Sequence, residues 1–183
     1  MKAEELQKWI GSDQHIWIPN CVKIIRKDTS IEQIEKGRER VTIFHTSIGD
    51  LKSIELLDTS TLSWHPKEYP VKNVEDINLM TMFLSDAKYE PDDAQTEKAN
   101  ALIHNLGEDG IATANLGTSP LMDWLQRIAG IENGLFMLMD YKENVDALFE
   151  KMHNAMCQCA KIIVDKSPAK VIYSGENTST PLI

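Results

Sequence analysis

The chain has 183 residues, a formal net charge of −9 and a hydrophobic fraction of 42%. Such an acidic chain is a poor general ligand for nucleic acid or anionic membranes, so we expect neither as a partner. It contains no run of about 18 apolar residues that could span a bilayer, and residues 1–5 lack the apolar core of a signal peptide. Because Cys21, Cys157 and Cys159 cannot form a closed set of disulfides, we expect a cytoplasmic location.

The first third of the chain predicts an antiparallel segment after a short helix over residues 1–12. Extended patterns recur between residues 15 and 70, and Lys36-Gly37-Arg38 is typical of a hairpin turn between 31–35 and 39–46. Ser47-Ile48-Gly49-Asp50 predicts a second turn. We therefore expect 15–70 to form an antiparallel excursion rather than a repeating strand–helix–strand unit.

From residue 74 the pattern alternates helices and short strands. Asn73 can cap a helix over 74–85, and a second helix over about 93–106 ends at Gly107. A strand over 111–116 leads into Gly117-Thr118-Ser119-Pro120, where Ser119 is the expected N-cap and Pro120 the first helical residue. Helices follow over about 120–129, 131–140 and 142–165, and then a short, buried strand over 169–173. This rhythm predicts an α/β fold with a parallel sheet.

Two polar stretches carry the candidate chemistry. Glu176 and Asn177 directly follow the last strand, where a carboxylate would face the mouth of a barrel as a base, a hydrogen-bond acceptor or a ligand orienter. A solvated loop acid is the alternative. The Gly117-Thr118-Ser119 turn presents backbone N–H groups to an anion at a helix start, although it is also simply a good strand-to-helix turn.

Metal-binding patterns are weak in this sequence. Cys157 and Cys159 lie two residues apart in a helical stretch, where their side chains point about 200° apart and cannot reach one ion. The five histidines form neither H-x-x-x-H nor H-E-x-x-H. We therefore assign no metal ligand within the chain.

The order of these motifs resembles the uroporphyrinogen decarboxylase superfamily. The likeness rests on the glycine-rich turn within 114–125, the Met-Asp-Tyr-Lys-Glu-Asn segment at 139–144 and the stretch 171–179. Upstream, 47–51 and 69–76 resemble the excursion that precedes an early barrel helix in this family. The likeness covers about residues 40–183, and it lies in the succession of motifs rather than in any single one.

The resemblance implies a (β/α)8 barrel enzyme of one of two kinds. Uroporphyrinogen decarboxylases of porphyrin biosynthesis need no cofactor, whereas zinc-dependent methyltransferases move a methyl group between a corrinoid protein and a thiol such as coenzyme M. The arginine-rich substrate motif of the decarboxylases has no counterpart here, and their catalytic tyrosine is matched by Trp124, which has no phenolic hydroxyl. The Glu-Asn-Thr-Ser loop is more similar to the methyltransferase-like branch.

Site residues follow from the same resemblance. It implies catalytic roles for Glu176 and Asn177, and substrate-side roles for Gly117, Thr118, Ser119 and Trp124. The zinc ligands of the methyltransferase branch are a His-x-Cys pair and a later cysteine, which belong to a part of the barrel that this chain does not match. The corrinoid protein and a small-molecule substrate are the implied partners.

The length adds an expectation about completeness. A barrel of this type needs about 250 residues, so we expect 1–183 to be an incomplete domain, a partial TIM barrel with 15–70 as its excursion and 74–183 as its strand–helix units. An open piece of barrel exposes strand edges and apolar helix faces. We therefore expect 1–183 to be part of a longer protein, to pair with another chain, including as a homodimer, or to be marginally stable alone, and we expect no activity from it by itself. The alternatives are a true decarboxylase and a non-catalytic fragment that serves as an assembly module.

Overall fold

The computed structural model describes residues 3–176, without the side chains of residues 3–5 and 8. The strands are β1 (Gln14–Trp17), β2 (Val22–Ile25), β3 (Ser30–Lys36), β4 (Glu39–Thr46), β5 (Gly49–Asp58), β6 (Ser63–Glu68), β7 (Lys88–Pro91), β8 (Gly110–Gly117) and β9 (Val171–Ser174). The helices are α1 (Ala3–Ile10), α2 (Val74–Ser85), α3 (Asp93–Leu106), α4 (Pro120–Asp123), α5 (Ile131–Asp140) and α6 (Lys142–Lys166). A π-helical turn (Trp124–Ile128) follows α4 directly.

The chain folds into two compact units, each assembled from separated segments. Within the described residues, the first unit contains 3–24, 89–117 and 156–175, and the second contains 25–88, 118–155 and 176. The fold is therefore mixed α/β, as the sequence predicts, and the helix α6 contributes residues to both units. None of the helices described is long and apolar enough to cross a membrane.

A parallel sheet of order β1-β8-β9 forms the first unit. Trp17 lies opposite Thr113 in the β1–β8 pair, and Ala114 lies opposite Ile172 in the β8–β9 pair. The sequence predicts strands over 111–116 and 169–173 in a parallel sheet, and the parallel pairing of β8 with β9 confirms this. The assignment of residues 15–17 to an antiparallel excursion is wrong, because β1 pairs parallel with β8. A four-residue strand carries no pattern that tells parallel from antiparallel pairing, and its partner lies almost 100 residues away.

One face of this parallel sheet is covered by helices, and on the other, which we call the open face, most of the described side chains are exposed. Ala112 and Ala114 of β8 pack in a buried cluster with Ala99 of α3 and Ile163 of α6, and their small side chains allow a close approach of helix to sheet. All four residues of β9 are exposed, so the prediction of a buried final strand is wrong. The reason is that, among the described residues, β9 is an edge strand with β8 as its partner.

An antiparallel sheet of order β3-β4-β5-β6 belongs to the second unit. The predicted turn between β3 and β4 is confirmed, with Gly37 at a φ of 65° that favours glycine. The antiparallel excursion begins at Ser30 rather than at residue 15. The helix α2 contacts β4 and β5, and Asn73 caps it as predicted by accepting the N–H of Asp76 at 2.9 Å.

The strand-to-helix turn after β8 is partly as predicted. Ser119 is the N-cap and Pro120 begins α4, but the helix expected over 120–129 changes to a π-helical turn at Trp124. There the N–H of Ala129 bonds to the carbonyl of Trp124 at 2.8 Å, which is the wider spacing that defines a π-bulge. The predicted helices over 131–140 and 142–165 are confirmed as α5 and α6.

No closed barrel forms among the strands of residues 3–176, because the hydrogen-bonded sheets have three, two and four strands. In the two-stranded sheet β2 pairs with β7, a pairing that the sequence patterns do not indicate. The coarse expectation of a mixed α/β fold therefore holds.

Candidate functional site

Glu176 and Ser119, two of the predicted site residues, bind each other directly in the second unit. One carboxylate oxygen of Glu176 accepts the backbone N–H of Ser119 at 2.6 Å, and the other accepts the Ser119 hydroxyl at 2.8 Å. Both contacts are charge-assisted, and such hydrogen bonds are shorter and stronger than neutral ones. The two polar stretches that the sequence singles out therefore meet at one point.

The Ser119 hydroxyl has a second role at this point. Its oxygen accepts the N–H of Met122 at 3.4 Å, which is the N-cap bond of α4. The hydroxyl hydrogen is donated to Glu176 while the oxygen lone pair serves the helix, so both functions of the group are used together. The carboxylate of Glu176 thereby takes the position at the turn where the sequence predicts an anion.

Thr118, the residue before Ser119, binds the charged side chain of Arg127. Its hydroxyl accepts a hydrogen bond from Arg127 Nη2 at 2.8 Å, and Arg127 Nε lies 2.5 Å from a carboxylate oxygen of Asp123. Arg127 is largely exposed, and an exposed ion pair of this kind contributes at most about 1 kcal/mol. The guanidinium is already neutralised by Asp123, so it orients the turn rather than offering an uncompensated positive charge.

Gly117 closes β8 in the first unit with a φ of 99°, a backbone conformation that favours glycine. Its N–H donates to the side-chain oxygen of Asn115 at 2.9 Å. Its carbonyl accepts the N–H of Gly175 at 3.0 Å and the hydroxyl of Ser174 at 3.1 Å. Gly117 therefore fixes the strand ends through its backbone.

Asn177, the other predicted catalytic residue, lies outside the described residues.

Trp124 does not lie where a substrate could touch it. The residue is 0% exposed, and its indole N–H donates to the carbonyl of Gly134 at 3.0 Å. Its ring also packs edge-on against Phe149, with 6.0 Å between ring centroids. In this structure Trp124 is a core residue that joins the π-helical turn to α5. This differs from the substrate-side position that the resemblance to the uroporphyrinogen decarboxylase superfamily implies.

The open face of the parallel sheet carries a group of residues that the sequence reasoning missed. His15 and Trp17 alternate with the more buried Ile16 along β1, and Thr113 and Val171 lie level with Trp17 on the two neighbouring strands. His15 Nε2 lies 2.9 Å from the hydroxyl oxygen of Thr113. The rings of His15 and Trp17 meet edge to face with centroids 5.0 Å apart.

Tyr173 of β9 completes this group. Its ring meets that of Trp17 edge to face, with centroids 5.3 Å apart and planes at 72°. We call His15, Trp17, Thr113 and Tyr173 the aromatic cluster. The period-two alternation of β1 and β9 could have indicated which side chains share a face, but the long sequence separation of these strands concealed that they lie side by side.

A separate surface pocket lies in the second unit. It has a volume of about 470 Å³ and is lined mainly by the start of α5 together with Tyr69 and Phe136. Gly130, the N-cap of α5, has a φ of 80° there, and a Cβ at this position would come within 2.6 Å of the Tyr69 ring. The polar lining residues of this pocket are Tyr69, Glu132 and Asn133, and the side-chain amide of Asn133 already donates to the carbonyl of Val71.

Metal binding has no built site within residues 3–176. No group of three histidine, cysteine, aspartate or glutamate side chains in this part of the chain is close enough to hold one ion. Cys157 and Cys159 lie on α6 as predicted, and burial raises the pKa of the Cys159 thiol, which opposes formation of the thiolate that a metal would bind. The histidine, cysteine and carboxylate side chains of the described residues therefore do not form a zinc site.

Comparison with known proteins gives no assignment. No protein-family model, curated protein or solved structure matches this chain.

Proposed function

We propose that this chain belongs to a methyltransferase-like member of the uroporphyrinogen decarboxylase superfamily. In the proposed reaction, a thiolate displaces the methyl group from a corrinoid protein, so that the C–S bond forms as the Co–C bond breaks and the electron pair stays on cobalt. The observation that carries the proposal is the direct contact between Glu176 and Ser119. It joins two of the motifs on which the resemblance rests, the turn within 114–125 and the stretch 171–179.

The parallel sheet supports the barrel part of this proposal. Three parallel strands in the order β1-β8-β9 follow the chain order that successive strands of a (β/α)8 barrel have. Helices α3 and α6 pack on one face of β8 through Ala99 and Ile163, as the outer helices of a barrel do. On this proposal β1, β8 and β9 are neighbouring strands of a partial barrel, α3 is the outer helix that precedes β8, and 18–92 is a long excursion between β1 and α3.

Glu176 is a positioning residue in this proposal rather than a base. Both of its oxygens already accept hydrogen bonds from Ser119, so the carboxylate holds the turn in one geometry. In barrel enzymes the loops that follow the strands carry the active site. The resemblance assigns zinc to the methyltransferase branch, and because the described donors do not fit it, we assign no zinc ligand within residues 3–176.

The decarboxylase alternative has less support. It would need a phenolic hydroxyl at the position of Trp124, and this residue is fully buried with its N–H bonded to Gly134. A tyrosine there would face the core of the second unit rather than a substrate. The methyltransferase-like branch makes no such demand on Trp124.

A direct assay separates the two enzymes. The complete product of the gene is incubated with methylcobalamin and coenzyme M, with and without added zinc, and loss of the methylcobalamin spectrum is followed. A parallel sample receives uroporphyrinogen and is analysed for decarboxylated porphyrinogens. Demethylation that needs both thiol and zinc supports the proposal, decarboxylation alone replaces it with the alternative, and the absence of both activities overturns both.

A non-catalytic assembly module is the second candidate. The observation in its favour is the exposed β9, whose Val171, Ile172 and Tyr173 are apolar and more than a third exposed. An exposed apolar edge strand is a ready template for pairing with another chain. Sedimentation of the 183-residue chain over a range of concentrations tests this role. A monomer at all concentrations, whose mass is also unchanged by an added corrinoid protein, would argue against it.

A further inference from the structure

The surface pocket at the start of α5, which we call the α5 pocket, is lined by Tyr69 together with residues 129–133 and Phe136. All of these residues belong to the second unit. The pocket volume of about 470 Å³ lies within the range of small-molecule sites, which is about 300–1,000 Å³. Most of the lining is apolar, and a few polar groups interrupt it. The α5 pocket therefore has the size and the kind of lining that small-molecule sites have.

Two hydrogen bonds of Val71 hold the walls of the pocket together. The N–H of Val71 donates to the carbonyl of Ile128 at 3.1 Å, and its carbonyl accepts the side-chain amide of Asn133 at 3.4 Å. Val71 is fully buried and lies two residues after Tyr69. The Tyr69 ring also packs against Gly130, where a Cβ would come within 2.6 Å of it. The pocket is thus formed before a ligand arrives, which lowers the entropic cost of binding.

The polar groups that the pocket offers to a ligand are hydrogen-bond acceptors. Asn133 directs its amide nitrogen to Val71 and to the sulfur of Met137, so within the described residues its side-chain oxygen is left free. Glu132 is exposed, and among the described residues its carboxylate has no hydrogen-bond or ion-pair partner. The Tyr69 hydroxyl, which accepts as well as donates, has no partner in the same part of the chain. A ligand that donates several hydrogen bonds complements this set.

The charge of the lining is negative. Of the lining residues Glu132 alone is charged, and its full charge outweighs the roughly half positive charge that a helix start carries. The net charge of −9 on the chain adds a field that attracts cations. The basic residues nearest to the lining residues in the sequence already have carboxylate partners, which are Glu39 for Lys67, Glu68 for Lys72 and Asp123 for Arg127. An anion would therefore find no free cation among these three.

The aromatic rings add to the preference for a cation. A cation over the face of a tyrosine or phenylalanine ring is attracted by the ring quadrupole, by about 0.5–1 kcal/mol at an exposed site. Phe136 is 60% exposed and Tyr69 is half-buried, so both rings offer surface to a ligand. An ammonium group donates three hydrogen bonds and accepts none, which matches the free acceptors. An apolar body attached to it would cover the apolar lining.

We propose that the α5 pocket binds an organic ammonium ion, a protonated primary amine on a small aryl body. The ammonium group binds the carboxylate of Glu132 and the side-chain oxygen of Asn133, and the aryl body packs on the rings of Tyr69 and Phe136. The inference goes beyond the proposed methyl transfer and does not depend on it, because it concerns binding to the second unit without any reaction.

Amide chemical shifts of the isotope-labelled 183-residue chain test the pocket at neutral pH. The probe is 2-phenylethylammonium, with 2-phenylethanol as the uncharged control and 3-phenylpropionate as the anionic control. We expect the probe to shift the amides of 69–71 and 129–136 along a saturable curve, with a Kd of about 1 mM, as suits a ligand of so few atoms. The alcohol should bind about threefold to tenfold more weakly, and 3-phenylpropionate more weakly still. Added salt should weaken binding of the ammonium ion and leave binding of the alcohol unchanged.

A matched pair of charge variants tests the role of Glu132. Glu132 and Glu143 are both exposed and both stand at the second position of a helix, in α5 and α6 respectively. E132Q should weaken binding of the ammonium ion by about threefold or more and leave binding of the alcohol unchanged. E143Q removes the same charge from outside the pocket and should change neither affinity.

A second pair of variants tests the aromatic wall. F136A should weaken binding of both the ammonium ion and the alcohol, because it removes a ring that lines the pocket. L135A shortens an exposed neighbour on α5 that does not line the pocket, and it should leave both affinities unchanged. The amide spectrum of each variant reports whether it is folded.

Several results would overturn the inference. Equal affinity for 2-phenylethanol would show an apolar hollow without charge selectivity, and equal effects of E132Q and E143Q would show a general attraction to an acidic chain. Tighter binding of 3-phenylpropionate would show that the start of α5 decides the charge of the ligand. Shifts confined to 15–17 and 171–175 would place the ligand on the aromatic cluster instead, and the absence of any saturable shift would leave no site.

Discussion

Ser119 gives both of its hydrogen-bond donors to one side chain, since its backbone N–H and its hydroxyl bind the two carboxylate oxygens of Glu176 at 2.6 and 2.8 Å. The two residues are 57 positions apart in the chain. The pair closes a long loop with two charge-assisted bonds, and it satisfies one of the free N–H groups at the start of α4.

The first prediction concerns the strength of this pair. E176A should lower the free energy of unfolding, and E176Q should lower it less, because the amide oxygen can still accept one of the two bonds. A double-mutant cycle of E176A with S119A isolates the hydroxyl contact, which we expect to contribute about 0.5–1.5 kcal/mol. Urea denaturation measures all of these variants.

The matched control for this cycle is E150A, which removes the same charge from an exposed position on α6. It should change the free energy of unfolding by less than about 0.5 kcal/mol. Strictly additive effects of S119A and E176A would show that the hydroxyl contact contributes nothing to stability.

A second prediction concerns Gly134 in the middle of α5. Replacing a helical glycine by alanine normally stabilises a helix by about 0.5–1 kcal/mol. Here the new Cβ would lie 2.8 Å from Trp124 Nε1 and 3.2 Å from a Leu125 methyl carbon, in a buried site. We expect G134A to destabilise the protein by about 1–3 kcal/mol instead, measured as a lower Tm.

The variant W124F serves as the partner in this test. Alone it should also destabilise the protein, because the carbonyl of Gly134 loses the indole N–H that it accepts. In the double variant the smaller ring leaves space for the new methyl group. The double variant should therefore lose less stability than the sum of the losses in the two single variants. A higher Tm for G134A would show that the helix gives way without cost.

The sequence predicts local structure around these residues well and the pairing of distant strands less well. The capping residues Asn73 and Ser119 are confirmed because an N-cap bond is decided within four residues. The sequence places Ser119 and Glu176 each just after a predicted strand, but it does not predict their contact. The position of β1 beside β8 was missed, because no local pattern records which strand pairs with which.

The aromatic cluster and Trp124 show the same limit at the level of single side chains. Tyr173 is followed by a polar loop, so the sequence alone does not decide which face of the sheet its ring occupies. The neighbouring Ala112 and Ala114 pack against helices, and this packing decides that the aromatic side chains lie on the opposite face. Trp124 is buried by a π-helical turn, which shifts its position relative to a regular helix and has no sequence signature.

The third prediction follows from Asp86, which ends α2. One of its oxygens accepts the hydroxyl of Thr29 at 2.8 Å and the backbone N–H groups of residues 27–29 at 2.9–3.0 Å. These bonds, with the Thr29 hydroxyl first, hold the pKa of Asp86 below its usual value of 3.8. The stabilisation that ionised Asp86 gives to the folded protein should therefore be complete above about pH 4. It should be lost as the pH falls through the pKa that Asp86 has in the folded state.

The measurement is the urea midpoint between neutral and acid pH for the unaltered chain and for D86N. The asparagine keeps one oxygen acceptor but has no charge to titrate, so D86N should be less stable at neutral pH and should show a shallower loss of stability in acid. Asp58, whose pKa is lowered to about 2 chiefly by the Ser60 hydroxyl, contributes in the same range, so D58N is measured alongside. An unchanged acid slope in D86N would contradict the role given to Asp86.

The last prediction concerns His45 on β4, which lies between two carboxylates of the neighbouring strands. Its Nδ1 is 3.0 Å from Asp50, and its Nε2 is 3.4 Å from Glu32. The hydrogen bond to Asp50, followed by that to Glu32, raises the pKa of His45 above its usual 6.5. Its contribution to stability should thus be present below pH 6.5 and be lost as the pH rises through the folded pKa.

Titration of the His45 ring protons by NMR checks both the direction and the cause. D50N should lower the pKa of His45 more than E32Q does, because Asp50 makes the shorter contact and lies directly opposite His45 in the β4–β5 pair. H45Q should remove the decline in stability above pH 6.5 that the imidazole contributes. If E32Q lowers the pKa more than D50N does, the order of the two contacts given by the sheet register is wrong, and the imidazolium is held mainly from β3.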